Sequence, residues 1–296
     1  MEQLSLDLLK QDKELKKLVD KYNISDKVLS ENMIVLSRFK RDFVLCEPNQ
    51  PLSMCKQSIP GVQQKLSFLN NTFYVTSKNC QHWVFENKDY KLQKNILYAD
   101  YDFKEVPETI EEFLNSDKAK NLDGNLEKLL IGLNKTKTEK GFYVYGEPGI
   151  GKTYIMKLLA NTYAKLDKKV ILVTVNKLIK KVKETFKSLE SNDYNKFFDQ
   201  CCDVDVLILD DIGSEIVSDW SRDELLFGLL NTRMENKKLT FFTSNFSIPE
   251  LETHYLNKKI RDQSLMKFEK MKTLRFTERI KGLSFCVRLH GSNKRY

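Results

Sequence analysis

Gly146-Glu147-Pro148-Gly149-Ile150-Gly151-Lys152-Thr153 is an unbroken G-x-x-x-x-G-K-T. In front of it the apolar run Gly141-Phe142-Tyr143-Val144-Tyr145 reads as a short buried strand. Behind it Ile155, Leu158, Leu159 and Tyr163 recur at helical spacing. Strand, loop and helix in that order make the stretch a phosphate-binding loop. Its glycines let the backbone curl so that N–H groups, with the positive end of the following helix, converge on a phosphate. Lys152 reaches the β- and γ-phosphates as a point charge, and Thr153 offers a hydroxyl to Mg²⁺. ATP and Mg²⁺ are therefore the expected cofactors.

Moving toward the carboxyl end, Lys169 to Val175 is β-branched, continuous and short, which predicts a second buried strand. The next helix carries Lys177, Lys180, Lys181 and Lys183, with Phe186 and Leu189 further on. Such a lysine face suits a nucleic-acid backbone and equally suits plain solvation. Asp205-Val206-Leu207-Ile208-Leu209-Asp210-Asp211 is an apolar strand ending in carboxylates: Asp210 is placed to hold Mg²⁺ and Asp211 to orient the attacking water. A helix is expected from about Ser221 to Glu235. The strand Leu239 to Asn245 then ends on an amide suited to the γ-phosphate or the lytic water, or simply to capping the turn before Pro249. Lys272, Arg275 and Arg279, three and four apart, share one helix face. A guanidinium beside a γ-phosphate stabilises the charge that spreads there in the transition state.

Strands alternating with helices, with nucleotide residues at the strand ends, predict an α/β fold with a parallel sheet and the ligand at its carboxyl edge. Toward the amino end, helices are expected at Glu108 to Leu114 and Asn125 to Leu133, with the ATPase domain spanning residues 106–296. Residues 86–105, polar and Lys-rich, read as a linker. Residues 1–85 form a second, small helical domain. In it Leu4, Leu8, Leu15, Leu18 and Tyr22 make an amphipathic stripe, either packed on the domain behind it or free to dock a partner helix. Cys46, Cys55, Cys80 and His82 lie in a Pro-rich stretch of the kind a tetrahedral Zn²⁺ can fold around. No C-x-x-C is present, so ordinary buried cysteines remain an equal reading.

The chain has 296 residues, 41% hydrophobic and 30% charged, which describes a globular protein rather than a disordered one. The formal charge of +8 fits a nucleic-acid partner or a lysine-rich surface. No apolar run approaches the about 18 residues of a membrane span, and the first residues do not read as a signal peptide. A cytoplasmic protein is expected, with six cysteines serving as thiols or metal ligands.

Tyr143 to Tyr154, Val204 to Glu215, Phe242-Thr243-Ser244-Asn245-Phe246 and Glu278-Arg279-Ile280 resemble the successive motifs of DnaI/DnaC-type bacterial helicase loaders of the AAA+ class. Trp220-Ser221-Arg222-Asp223-Glu224 and Arg233-Met234 fit the DnaI branch. Cys46, Cys55 to Gly61, Tyr74 and Cys80 resemble that branch's zinc-bearing amino-terminal domain. Cys46 and Cys55 lack the closer cysteine partner of that domain, and His82 is taken as the fourth ligand.

The resemblance implies a three-layer AAA+ fold with a truncated lid, since few residues follow Arg279, and no sensor arginine on such a lid. It implies binding to the replicative DNA helicase through the amino-terminal domain and delivery of that helicase onto single-stranded DNA when replication starts. Lys152, Thr153, Asp210, Asp211 and Asn245 would act in one subunit. Arg275 and Arg279 would reach the ATP site of the next in a ring or spiral. Two further readings stay open: an IstB-type transposase-helper ATPase, against which the Cys/His cluster speaks, and an adaptor switched by ATP with little hydrolysis.

Overall fold

The computed structural model describes residues 12–102, 105–120, 122, 124–134, 138–185, 192–256 and 262–293. They fall into two compact units, Met1–Tyr90 and Lys91–Tyr296.

In the first unit, α1 (Lys13–Tyr22), α2 (Asp26–Glu31) and α3 (Met33–Asp42) precede an antiparallel hairpin of β1 (Val62–Leu69) and β2 (Thr72–Asn79) and the short α4 (Gln81–Glu86). Asp12 caps α1 by accepting from the Glu14 and Leu15 amides. Leu15, Leu29, Leu36 and Phe39 from the helices close over Leu66 and Phe73 of the hairpin to form the core. The stripe from Leu4 to Tyr22 is thus seen in part: Leu15 is core, whereas Leu4 and Leu8 lie outside the described residues. The hairpin joins the expected helices as an element the sequence reading passed over.

The second unit runs through α5 (Tyr90–Asn95), β3 (Ile96–Ala99), α6 (Ile110–Leu114), α7 (Gly124–Asn134), β4 (Gly141–Tyr145), α8 (Lys152–Lys165), β5 (Val170–Thr174), α9 (Val175–Thr185), α10 (Asn192–Asp203) and β6 (Val206–Asp210). A π-helical turn over Trp220–Leu226 leads into α11 (Phe227–Glu235), then β7 (Leu239–Ser244), α12 (Ile248–Tyr255), α13 (Gln263–Leu283) and β8 (Ser284–Arg288). Six strands form one parallel sheet in the order β3-β5-β6-β7-β4-β8.

Strand alternation divides the core between the sheet's two faces. Ile171, Val173, Leu207, Leu209 and Phe242 point into the layer holding α9 to α13; Val170, Leu172, Val206, Ile208 and Phe241 point into the layer of α6, α7 and α8. These are the three layers of the expected α/β fold. The P-loop strand β4 lies between β7 and β8, where the strand order turns back, so the carboxyl ends of β4, β6 and β7 open onto one crevice.

One boundary is corrected. Residues 96–99, assigned to a linker spanning 86–105, form the edge strand β3 paired with β5. Only four residues long and set among lysines, Ile-Leu-Tyr-Ala is too short for alternation to stand out from its polar surroundings. Phe186 and Leu189, expected on the lysine-rich helix, lie outside the described residues.

Candidate functional site

Beyond β4 the backbone turns so tightly that a Cβ on Gly146 would collide with the Leu289 carbonyl oxygen. Gly151 caps α8 with φ of 98°, in the left-handed region that glycine enters without strain. The loop wraps the Lys152 ammonium, which donates to the Gly146 and Glu147 carbonyls at 2.8 Å each and to Asn245 Oδ1 at 2.9 Å. Next along the chain, the Thr153 hydroxyl lies 3.0 and 3.2 Å from the two carboxylate oxygens of Asp210, at the end of β6. Two hard oxygen donors converging in this way form a fitting site for Mg²⁺.

The strand ends are tied to one another. Thr243 of β7 donates to Asp210 Oδ1 and accepts from the Asp211 amide at 2.8 Å. Asp211 adopts φ of 58° and accepts from Asn245 Nδ2 at 3.3 Å. Burial pushes the Asp210 carboxyl above its ordinary range; the Thr243 and Thr153 hydroxyls oppose that shift, and the charges of Asp211 and Asp100 add to it. A cation at this point would reverse the penalty.

A cavity of about 660 Å³ opens here. Pro148, Gly149, Gly151, Lys152, Thr153, Thr174, Asp210, Asp211, Thr243 and Asn245 form its polar side, and Phe113, Leu122, Leu126, Leu130 and Tyr154 its apolar end. One end suits phosphates and a cation, the other an aromatic ring. Sequence reasoning missed the apolar end, because all of its residues but Tyr154 come from the stretch 113–130, ahead of the motif that drew attention.

Arg275 and Arg279 are not among the residues lining this cavity. Their guanidinium carbons stand 4.9 and 5.3 Å from the centroid of the Phe227 ring, and Arg279 Nε donates to Asn231 Oδ1 at 2.8 Å. Their helix neighbour Lys272 pairs with Asp223 at 3.4 Å. On α9, the Lys177, Lys180 and Lys183 side chains lie on the exposed face while Leu178, Ile179 and Val182 are buried.

In the first unit, ligand atoms of Cys46, Cys55, Cys80 and His82 all lie within 4.8 Å of one another. The Cys55 and Cys80 sulfurs are 3.7 Å apart, too far for a disulfide and close to the edge of a tetrahedron whose vertices stand about 2.3 Å from a central Zn²⁺. His82 is buried with neither ring nitrogen hydrogen-bonded, a cost that a metal bond would remove. Three thiols and an imidazole are the donor set that Zn²⁺ favours, so the residues fit the ion. Burial raises the Cys55 thiol, yet donors led by the Gly61 amide outweigh it and bring the thiol down to about 6.

Residues 125–268 match the family model of the bacterial DnaA ATPase domain. The chain is similar to the replicative helicase loader DnaI of Bacillus subtilis (strain 168), 34% identical over 167 residues that make up 56% of this chain and 51% of that protein. It is 28% identical over 112 residues to the replicative helicase loader DnaC of Buchnera aphidicola subsp. Baizongia pistaciae (strain Bp), covering 38% of this chain and 45% of that one. A crystal structure of DnaI superposes with a TM-score of 0.53 at 28% identity, over 69% of this chain and 100% of that chain. The chain spans about half the length of the curated relatives it matches. The likeness carried by the motifs is thus found again in these comparisons: residues 125–268 resemble the DnaA ATPase domain, and the fold is similar to that of DnaI.

Proposed function

We propose that this protein is an ATP-dependent loader that binds the replicative DNA helicase and delivers it onto single-stranded DNA as replication starts. The observation that carries the reading is the similarity to the loader DnaI, 34% identical over 167 residues. In this reading Gly146 to Thr153 hold the triphosphate, with Lys152 on its β- and γ-phosphates. Thr153 and Asp210 hold Mg²⁺, which when bound neutralises charge on the phosphate oxygens. Asp211 orients the attacking water, and Asn245, already hydrogen-bonded to both Lys152 and Asp211, lies between phosphate and water. Turnover belongs to an assembled ring or spiral, in which Arg275 and Arg279 serve the neighbouring subunit's ATP; their place on Phe227, away from their own cavity, supports this.

Cys46, Cys55, Cys80 and His82 hold a structural Zn²⁺ that organises the amino-terminal unit, and this unit contacts the helicase. Single-stranded DNA runs against the ATPase domain, and the exposed lysines of α9 are the candidate phosphate contacts. The protein works in the cytoplasm. Among the described residues no helix is long and apolar enough to cross a membrane.

Light scattering after size exclusion tests the loader reading, with the organism's replicative helicase, ATP and Mg²⁺. A complex is expected with the full chain and not with residues 91–296 alone. No complex with the full chain overturns it.

A further inference from the structure

Each sulfur of the cysteine cluster accepts one N–H hydrogen bond. The Gly61 amide points at Cys55 Sγ and the Trp83 amide at Cys80 Sγ, both at 3.5 Å, while Cys46 Sγ takes its bond from Gln57 Nε2 at 3.1 Å. Two of the three donors are backbone and come with the fold. The third is a side chain, so a substitution can remove it alone. Gln57 is buried, and its Nε2 also donates to the Val44 carbonyl at 2.6 Å. Both neighbours of that nitrogen are acceptors, so the amide must face them with its NH₂ group, and its two hydrogens are shared between them. The Val44 carbonyl has a second donor, Gln63 Nε2 at 2.8 Å, and Gln63 is buried too.

We propose that Gln57 is a positioning residue of the zinc site: its amide holds the Cys46 sulfur in place and takes up part of the thiolate charge through an N–H···S bond. The proposal rests on the reading that Cys46, Cys55, Cys80 and His82 bind Zn²⁺. An outer-shell donor of this kind orients the ligand before metal arrives and offsets the repulsion among three thiolates gathered within 4.8 Å. Gln63 shares the Val44 clamp with Gln57 but does not touch sulfur. The pair therefore separates holding the backbone from serving the metal.

The test uses the full chain and its Gln57→Met and Gln63→Met variants. Zn²⁺ affinity is measured by competition with a chromophoric chelator, and the absorption of the Co²⁺-substituted proteins is recorded. Gln57→Met is expected to weaken Zn²⁺ binding about 10- to 100-fold, the usual cost of losing an outer-shell partner. It should also move the thiolate-to-cobalt charge-transfer band to lower energy, because a sulfur without its hydrogen bond is a better electron donor. Gln63→Met should leave the band where it is and bind Zn²⁺ more tightly than Gln57→Met does. Equal losses in both variants with no band shift would reduce Gln57 to a backbone clamp and overturn the proposal while leaving the zinc reading intact. A wild-type chain that takes up no Zn²⁺ would overturn both.

Discussion

Asn245 Oδ1 lies 2.9 Å from Lys152 Nζ, and the same amide donates through Nδ2 to Asp211 at 3.3 Å. With its oxygen on a cation and its nitrogen on a carboxylate, Asn245 is oriented by both neighbours before any ligand arrives. Lys152→Ala removes the ammonium charge from the phosphates and is expected to abolish nucleotide binding. Asn245→Ala leaves the cradle intact, so affinity for a fluorescent ATP analogue should change by less than about tenfold. Turnover should fall about 10²- to 10³-fold, the scale of losing one preorganised donor. Equal loss of binding and turnover would make Asn245 a structural strap.

In the proposed ring or spiral, Arg275 and Arg279, which stack on Phe227 and do not line their own chain's cavity, act on the ATP of the neighbouring subunit. Alanine at the arginine that acts across the interface should leave ATP binding unchanged and lower turnover about 10³-fold or more. Mixing such subunits with Asp211→Asn subunits should restore part of the activity, because some interfaces then join an intact arginine to an intact site. Absence of rescue at every mixing ratio would place both arginines outside the ATP chemistry.

The parts of the site legible in the sequence are those whose chemistry is local. Gly146 to Thr153, Asp210 and Asn245 each sit at the end of a continuous apolar strand, and β4, β6 and β7 appear within a residue or so of where those runs place them. The hairpin was missed although Asn70-Asn71, with φ of 49° and 58°, is the two-residue turn that joins such strands. The cysteines and the polar residues of β2 obscured the alternation around it. Arg222 and Arg233, noted only as marks of the loader branch, are fully buried: Arg233 spends its donors on the Cys201, Cys202, Val204 and Leu239 carbonyls and on Thr240. Partners drawn from so many separate elements leave no pattern in a linear reading.

Arg222 shows what such burial costs when broken. It is held by Glu269 on α13, Asp223 and the Tyr255 carbonyl, and hydrogen bonds to the two acids keep its guanidinium charged against the opposing pull of burial. Arg222→Met strands Glu269 in the interior, and a loss of about 3–5 kcal/mol is expected in chemical denaturation. The double change Arg222→Met with Glu269→Met should recover much of that loss. A double variant no more stable than the single one would mean that packing, not the stranded charge, sets the cost.

Removing metal should act on one unit only. Gathering three thiols and the buried His82 without a metal leaves both His82 ring nitrogens unpaired, a cost that the small core of Leu15, Leu29, Leu36, Phe39, Leu66 and Phe73 must offset alone. Chelation of the full chain is therefore expected to lower the melting transition of residues 12–90 and to release about one Zn²⁺ per chain. Binding of an ATP analogue should be unchanged. Loss of nucleotide binding on the same treatment, with Mg²⁺ restored, would mean the two units are not independent.

Glu215 supplies a pH dependence. Its carboxylate is buried behind the Asp210-Asp211 turn, accepting from the Gly213 amide at 2.8 Å and from the Tyr255 hydroxyl. Burial pushes it up from the ordinary 4.5 to about 7, against the pull of the backbone donors. Between those values the folded form binds more protons than the unfolded one, so the stability this group contributes is full below about pH 4.5. It declines as pH rises and levels off once pH passes about 7. Glu215→Gln cannot ionise. Relative to that variant the wild type should lose stability steadily across this window, by up to about 3 kcal/mol if the whole shift is expressed. Parallel denaturation midpoints for the two proteins from pH 4.5 to 8 would show that Glu215 stays ionised in the folded chain and that its hydrogen bonds outweigh its burial.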